Sequence, residues 1–384
     1  MYSASSAFHK AVADGKQQMA MLIFEDAVFT NEDINVTSGI RFNDYFSTDD
    51  DIAIGQTPSN EITFSLFNDG RYLNNYEFGE FTATLGVLIS EGTYQQTGSV
   101  YMRTTNASWT GNDVAPFVLR NGSAAGIAQP SFAVRSMLCY DGKVWAFSSS
   151  GQRVVYDERT GANITSQNPQ LNAFMKNKVK GWNGKGIFYN KSARKLKIWE
   201  AGETQQYEFV PLGVFTAERP NAPDTIQLDL DCFDHMQKFE EDMPDKSTLG
   251  ITYPVTLATL LQKLCDYVGV TLKTTTFINS TAKITSEPRD FESATMRDVL
   301  KWIAEAAAGN ARFDRDGKLV IDWTRSTTQR YTETEYASFA PYWYETKQIT
   351  KLYNRSSDGT SEKTKGSGDE GYLIQDNPIL KGVS

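Results

Sequence analysis

Several short stretches of the chain alternate apolar with polar residues, and this pattern predicts β-strands. Near the amino-terminal end, residues 19–24 (MAMLIF) form an apolar run of strand length. Farther along, Ile62, Phe64 and Leu66 alternate with polar neighbours, and residues 225–233 (TIQLDLDCF) have the same period of two. A period of two places one row of side chains against a core and the other in solvent. We therefore expect strands with one buried face in these stretches.

An amphipathic helix is predicted after residue 252. Thr252 is a suitable N-cap residue, and Pro254 lies near the helix start, where the N–H that proline lacks would have no partner in any case. Gly269 stands where the end of a helix often needs a positive φ. The apolar residues of this segment share one helix face: Leu257, Leu260, Leu261, Leu264 and Val268. This face is expected to pack on a sheet.

A second amphipathic helix is predicted after Thr295. Thr295 and Asp298 have the spacing of a capping box, and Gly309 is expected to end the helix. The apolar face of this helix consists of Met296, Val299, Leu300 and Ile303. The pair Asp316-Gly317 then predicts a hairpin turn within residues 311–323.

Changes in these patterns divide the chain into four regions. Residues 1–90 form an amino-terminal strand-rich region, residues 91–215 an inserted β-rich domain, residues 216–330 an α+β domain with both helices, and residues 331–384 a region of return strands and a mobile loop. The loop is predicted at 356–371 from its Gly- and Ser-rich composition, between strand-like segments at 347–354 and 371–375. The expected fold class is a β-rich α+β multidomain protein.

Composition narrows the function classes. The 384 residues carry a net charge of −9, which argues against broad contact with a phosphate backbone, and no sequence-specific nucleic-acid partner is expected. No apolar run approaches the roughly 20 residues of a membrane-spanning helix, and no secretory signal is recognised. The three cysteines form no C-x-x-C pair and there are only two histidines, so no disulfide framework, metal site or cofactor is expected.

The densest group of candidate metal ligands lies at the end of the 225–233 strand. Asp229 and Asp231 would share one strand face, and Asp234 and His235 follow directly. Two carboxylates and an imidazole could bind a divalent metal ion. The alternative is that Asp234 caps a short helix at 236–240 while the two strand aspartates face solvent. We favour this alternative and assign no metal ligand.

Aromatic residues are frequent in the inserted domain. Trp182, Tyr189 and Trp199 are candidate glycan contacts, because aromatic rings stack on sugar rings, but core packing of a small β unit would use the same residues. The glycine-rich stretch 181–186 leads into a strand-like segment, not into the helix N-terminus that a phosphate-binding loop needs. No nucleophile turn is recognised, and no catalytic or cofactor-binding residue is assigned.

Two sets of segments together resemble the central hub proteins of bacteriophage tails and phage-tail-like bacteriocins, and also the tail-associated proteins of long flexible tails. The first set is SAFHKAV (6–12), MLIFEDAVFTNEDINVTSGI (21–40) and DIAIGQTPSNEITFSLFN (51–68). The second is LGVFTAERPNAPDTIQLDLDCFDHMQKFE (212–240), YPVTLATLLQKLCDYVGVTL (253–272) and TMRDVLKWIAEAAAGNARFDRDGKLVI (295–321). The order of these patterns carries the resemblance, which covers about 20–90 and 210–325 and leaves out the insertion.

The resemblance, together with the absence of a recognised active site in the sequence, predicts a structural protein without enzymatic activity. It implies tail-tube-like β-barrel elements packed as a homotrimer around the tail axis of a contractile or flexible tail. Such a hub is a symmetry adaptor that forms the conduit for DNA or an effector. The implied partners are the tail tube or distal tail protein, the central spike or tip protein, the tape measure protein and the baseplate proteins. The implied location is the tail tip or baseplate of the virion, after assembly in the bacterial cytoplasm.

The carboxyl-terminal end departs from this family. Only Ile379–Ser384 follow the pair Asn377-Pro378, so the later barrel strands of the family, where they are needed, are either missing or supplied by another chain. This departure concerns the two-barrel architecture more than the hub role. Two alternatives to the hub remain. One is a glycan-binding host-recognition module formed by the 91–215 insertion, and the other is a tail-associated cell-wall hydrolase or endopeptidase.

Overall fold

The computed structural model describes most of residues 4–93 and 226–322 and parts of the rest of the chain. The described residues are 4–25, 27–35, 37, 39–45, 54–68, 73–74, 76–93, 100–103, 117–120, 132, 136–140, 143–148, 150, 152–157, 162–167, 185–190, 195–200, 203–218, 226–289, 291–322, 351–355, 362–367, 371–375 and 377–379.

The described residues form 22 strands and three α-helices. The strands up to residue 190 are β1 (Gln18–Phe24), β2 (Val28–Thr30), β3 (Ile40–Asn43), β4 (Glu61–Phe67), β5 (Glu80–Thr93), β6 (Val100–Arg103), β7 (Phe117–Arg120), β8 (Ser136–Tyr140), β9 (Lys143–Phe147), β10 (Arg153–Asp157) and β11 (Lys185–Asn190). The later strands are β12 (Lys195–Glu200), β13 (Glu203–Ala217), β14 (Gln227–Asp234), β15 (Val255–Thr256), β16 (Thr271–Leu272), β17 (Lys283–Ile284), β18 (Asn310–Phe313), β19 (Lys318–Asp322), β20 (Lys351–Arg355), β21 (Glu362–Gly366) and β22 (Gly371–Gln375). The α-helices are α1 (Ser6–Ala13), α2 (Leu257–Val268) and α3 (Met296–Ala306), and short 3-10 helices occupy Thr165–Gln167, His235–Phe239 and Phe291–Ser293.

One large sheet contains twelve of the strands. Its order is β10-β9-β8-β11-β12-β13-β14-β4-β3, and β5 joins β13 to β1, which in turn pairs with β2. The β8–β9, β9–β10, β11–β12, β12–β13, β1–β2 and β1–β5 pairs are antiparallel, whereas β8 and β11 are parallel. The expected β-rich α+β fold class is confirmed. The strands of the described residues do not close into a barrel, so the tail-tube-like barrel that the resemblance implies is not seen in them.

The contacts divide the chain into two compact units. The first comprises residues 1–40, 64–212 and 217–230, and the second comprises 41–63, 213–216 and 231–384. The four-region division that the sequence suggests stays a prediction. Among the described residues no helix has the length and apolar composition that are needed to cross a membrane.

The core of the first unit is rich in aromatic rings. Phe24 stacks on Phe81 at a centroid distance of 4.6 Å, and Phe64 meets Phe81 edge to face at 5.7 Å. Such ring pairs add about 0.5–1.5 kcal/mol to the area that they bury. Helix α1 is attached to this unit through its N-cap, because the Ser5 N–H and hydroxyl both donate to the carboxylate of Glu208 in β13.

The core of the second unit is built on the apolar faces of α2 and α3, as the sequence predicts. Leu257, Leu260, Leu261 and Leu264 of α2 and Met296, Val299, Leu300 and Ile303 of α3 are all fully buried in one cluster. Val268 is partly buried against it. Burial of each large apolar side chain contributes about 1.5–3 kcal/mol, so this cluster holds the two helices in place.

The start of α3 and the following hairpin agree with the sequence patterns that predicted them, whereas the end of α3 comes earlier than predicted. Thr295 accepts a hydrogen bond from the Asp298 N–H and the Asp298 carboxylate accepts one from the Thr295 N–H, which confirms the capping box. The helix ends at Ala306, three residues before the expected stop at Gly309. Gly317, with φ of 72°, lies in the turn between the antiparallel strands β18 and β19, which confirms the hairpin.

Two predictions were wrong in position. Thr252 does not cap α2, since the helix begins one turn later and its N-cap is Thr256, whose hydroxyl accepts from the Thr259 N–H at 3.1 Å. The reason is that Val255 and Thr256 first pair with β17, which keeps them extended. Residues 362–366, inside the segment predicted to be a loop, form β21 and pair with β20.

The two threonines before α2 provide a matched test of this start. We expect Thr256→Ala to lower the free energy of unfolding by about 0.5–2 kcal/mol, because the Thr259 N–H loses its acceptor. Thr252→Ala should change it by less than about 0.5 kcal/mol, because Thr252 is exposed and does not cap the helix. Urea unfolding followed by circular dichroism measures both. Equal losses for the two variants would contradict this assignment of the cap.

Candidate functional site

The four candidate metal ligands near the end of β14 lie in different environments: Asp229 and Asp231 are exposed, whereas Asp234 and His235 are buried. Along this strand, Asp229 and Asp231 are exposed while Leu228, Leu230 and Cys232 are buried. Asp234 is only 3% exposed and is the N-cap of the 3-10 helix His235–Phe239. Both the predicted capping role of Asp234 and the predicted exposure of the strand aspartates are therefore confirmed.

Asp234 is the centre of a hydrogen-bond junction, which we define as Asp234, Ser59, Asn60 and Met236. Its Oδ1 accepts from the Met236 N–H at 2.9 Å and from the Ser59 hydroxyl at 3.1 Å. Its Oδ2 accepts from the Asn60 N–H at 2.9 Å. Burial raises the pKa of the Asp234 carboxyl, although these donors oppose the shift. The carboxyl thus receives three hydrogen bonds in a place that water hardly reaches.

Asn60 extends the junction to two further segments. The Asp234 N–H donates back to the Asn60 carbonyl at 3.0 Å, so the two residues are joined in both directions. The Asn60 side chain accepts from the Tyr45 N–H at 2.9 Å and donates to the Phe313 carbonyl at 3.5 Å. One buried asparagine therefore contacts the chain at residues 45, 234 and 313.

The residues just before Asn60 are bound along β18 and the end of α3. The Gly55 N–H donates to the Gly309 carbonyl, and the Ala311 N–H donates to the Gln56 carbonyl, both at 2.9 Å. The Gln56 N–H also donates to the side chain of buried Asn310 at 3.0 Å. Residues 54–60, which we call the 54–60 loop, are thus bound to the chain at residues 309–311 through backbone groups and the Asn310 side chain.

Arg297 binds the middle of the 54–60 loop. Its Nε donates to the Thr57 hydroxyl at 3.2 Å, and its Nη2 donates to the Thr57 carbonyl. Its Nη1 forms an ion pair with Glu240, which follows the 3-10 helix. The planar guanidinium therefore joins the loop, α3 and the 3-10 helix, a geometry that a lysine could not provide.

Two of the other candidate ligands, Asp229 and His235, have structural partners. The Asp229 carboxylate accepts hydrogen bonds from the side chains of Gln227 and Ser65. Both hydrogen bonds lower the pKa of Asp229, and the one from Gln227 has the larger effect. His235 is buried, and its ring meets Phe313 edge to face at 5.4 Å. In the described part of the chain no three His, Cys, Asp or Glu residues converge as a metal site would require.

Of the three candidate glycan contacts, Trp182 lies outside the described residues. Tyr189 is in β11, where it pairs with Leu196, and Trp199 is in the neighbouring β12, where it pairs with Gly186. The glycan-binding role of these residues stays a prediction.

The side chains of two of the three cysteines are enclosed in the protein. Cys232 and Cys265 are both fully buried, and burial raises the pKa of the Cys265 thiol to about 12. A thiol with this pKa is protonated at neutral pH, so it does not act as a nucleophile or metal ligand. The hydrogen-bond junction around Asp234, in contrast, has a clear structural effect, because it holds distant segments of one chain together.

Sequence reasoning missed Asn60, Thr57, Asn310 and Arg297. Their partners lie far along the chain, with separations of 174 residues for Asn60 and Asp234 and 240 for Arg297 and Thr57. The one signal that included the 54–60 loop was the resemblance of the segment 51–68 to the tail hub family.

Comparisons with known proteins identify no family. No protein-family model matches the sequence, and no curated protein matches it. Among solved structures, the chain is similar to the crystal structure of the prophage MuSo2 43 kDa tail protein from Shewanella oneidensis, with a TM-score of 0.31 and 9% identity over 95% of this chain and 76% of that chain. A similarity this low does not establish a shared fold.

Two aspartates of the same strand test the junction. We expect Asp234→Ala to lower the free energy of unfolding by at least about 2 kcal/mol, because the buried N–H groups of Asn60 and Met236 lose their acceptor and each such loss costs about 1–3 kcal/mol. Asp231→Ala removes an exposed carboxylate three residues away and should change it by less than about 0.5 kcal/mol. Chemical denaturation gives both values. A loss at Asp234 no larger than that at Asp231 would show that the junction does not stabilise the fold.

Proposed function

We propose that the chain is the structural hub of a phage tail or phage-tail-like particle. In this role it is a trimeric adaptor that joins the tail tube and baseplate ring to the central spike or tip and forms the conduit for DNA or an effector. The protein is not an enzyme in this proposal. Its partners are the tail tube or distal tail protein, the spike or tip protein, the tape measure protein and the baseplate proteins, and it acts in the virion.

The observation that carries the proposal is the binding of the 54–60 loop to residues 234–311. The first set of hub-like segments includes this loop, and the second set provides Asp234, Arg297 and Ala311, to which it binds. The two sets are separated in sequence by the insertion, yet residues of both meet in one hydrogen-bonded unit. Their joint packing supports the interpretation that the order of these segments reflects one architecture and not a chance series of strands and helices.

Physical features of the chain also support a hub. Strands β10 and β3 are the ends of the main strand order of the large sheet. Exposed edges are prone to pair with other chains, and a closed ring of subunits is one way to cover them. The net charge of −9 suits the wall of a conduit, because an acidic surface repels passing DNA and does not retain it.

Electron cryomicroscopy of the particle that contains this chain tests the proposal. Fab fragments raised against the purified chain serve as markers, and Fab fragments against another tail protein of the same particle serve as the control. We expect three copies of the chain around the central axis at the distal end of the tail tube. Marker density away from the axis, on a fibre or on the sheath, would overturn the hub. A copy number other than three per tail would overturn the trimer.

A further inference from the structure

Glu305, in the last turn of α3, occupies an unusual position for a helix glutamate. Its carboxyl group is mostly buried and lies between the 54–60 loop on one side and residues 377–379 on the other. We call residues 377–379 the Asn377 segment. All these residues belong to the second unit.

Gly55 allows the loop to approach Glu305 closely. A Cβ at this position would lie 2.0 Å from Glu305 Cγ and 3.1 Å from Oε1, and the φ of Gly55 is +82°. Any side chain there would be strained and would collide with Glu305. The loop backbone therefore covers the glutamate directly and excludes much of the water that would otherwise solvate a carboxylate.

The Asn377 segment covers the other side and is itself firmly bound. Asn377 is fully buried, and its Nδ2 donates to the Trp302 carbonyl at 2.9 Å and to Glu305 Oε2 at 2.7 Å. Its Oδ1 accepts from the Ile379 N–H at 3.0 Å. Ile379 is fully buried in the same apolar cluster as α2 and α3. The Asn377 segment is thus held by the Trp302 carbonyl, by the Glu305 carboxyl and by the burial of Ile379, and of these three contacts the one with Glu305 can ionise.

Among the described residues, few charged side chains act on Glu305. Lys301, on α3 and exposed, is the charged group of the described residues that favours the ionised carboxylate. The two covering elements bring no titratable side chain, since residues 377–379 are Asn-Pro-Ile and residues 54–57 are Ile-Gly-Gln-Thr. The helix C-terminus carries a partial negative charge, which disfavours a second negative charge there.

We propose that Glu305 is a pH-sensitive latch for the Asn377 segment. The neutral carboxyl keeps the segment docked on α3, and loss of the proton favours its release, because release lets water solvate the carboxylate. The proposal needs no ligand and is independent of the hub function.

The direction of the pH dependence follows from the burial. Burial raises the pKa of Glu305 from the ordinary value of 4.5 to about 7, against the weaker effects of the Asn377 hydrogen bond and of Lys301. A released Glu305 would regain the ordinary value. The docked state is therefore most favoured below pH 4.5. The free-energy preference for docking decreases as the pH rises from 4.5 toward 7 and stays constant above pH 7.

Hydrogen–deuterium exchange with mass spectrometry of the full chain tests the latch. Peptides that cover residues 377–379 are followed between pH 5 and 8, with rates corrected for the intrinsic pH dependence of exchange. We expect protection to fall by up to about tenfold per pH unit until pH is near 7, and then to level off. Glu305→Gln, which retains an acceptor for Asn377 but cannot ionise, should keep nearly constant protection over this range.

The control is Glu241→Gln, which removes an exposed carboxylate from the same unit and should behave like the unsubstituted protein. If Glu305→Gln does not fold, as circular dichroism would reveal, the pH profile of the unsubstituted protein decides. Protection that is flat from pH 5 to 7 in that protein would overturn the latch. Equal pH dependence with and without Glu305, or loss of protection in the 54–60 loop alone, would also overturn it.

Discussion

The buried carboxyl group of Asp234 is the constraint on which the second unit depends. It ends β14, starts a 3-10 helix through the Met236 N–H, and accepts from Ser59 and Asn60 of a segment about 175 residues earlier in the chain. Because Asn60 in turn binds backbone groups at Tyr45 and Phe313, a change at the carboxyl affects four stretches of backbone. Apolar burial of α2 and α3 supplies the larger free energy, but hydrogen bonds with defined directions decide where the 54–60 loop lies on them.

The parts of the fold that could be predicted are those whose determinants lie within a few residues of one another. The Thr295 and Asp298 capping box, the positive φ of Gly269 at the end of α2 and the Gly317 turn all involve near neighbours. The capping role of Asp234 belongs to the same group, since its first acceptor contact is with Met236. Local physics fixes such features almost regardless of the rest of the chain.

What could not be predicted depends on contacts between distant segments. Thr252 and Thr256 are equally good caps in sequence, and the pairing of β15 with β17 decides between them. Arg297 and Glu305 occupy the polar positions of α3 and would be assigned to solvent by periodicity alone, but the 54–60 loop and Asn377 cover them. Nothing near these residues in the sequence marks them, because their environment is formed by chain that is 72 to 250 residues away.

Asp234 and Glu305 show how the same cost of burial leads to different behaviour. Both carboxyls are largely removed from water, and in both cases burial is the main cause of a raised pKa. Asp234 receives three hydrogen bonds, two of them from backbone N–H groups that have no freedom to move away. Among the described residues Glu305 receives one, from the side chain of Asn377, near the negative end of a helix. Fixed donors make the first carboxyl a permanent junction, whereas the second, in the latch that we propose, loses its donor when the Asn377 segment is released.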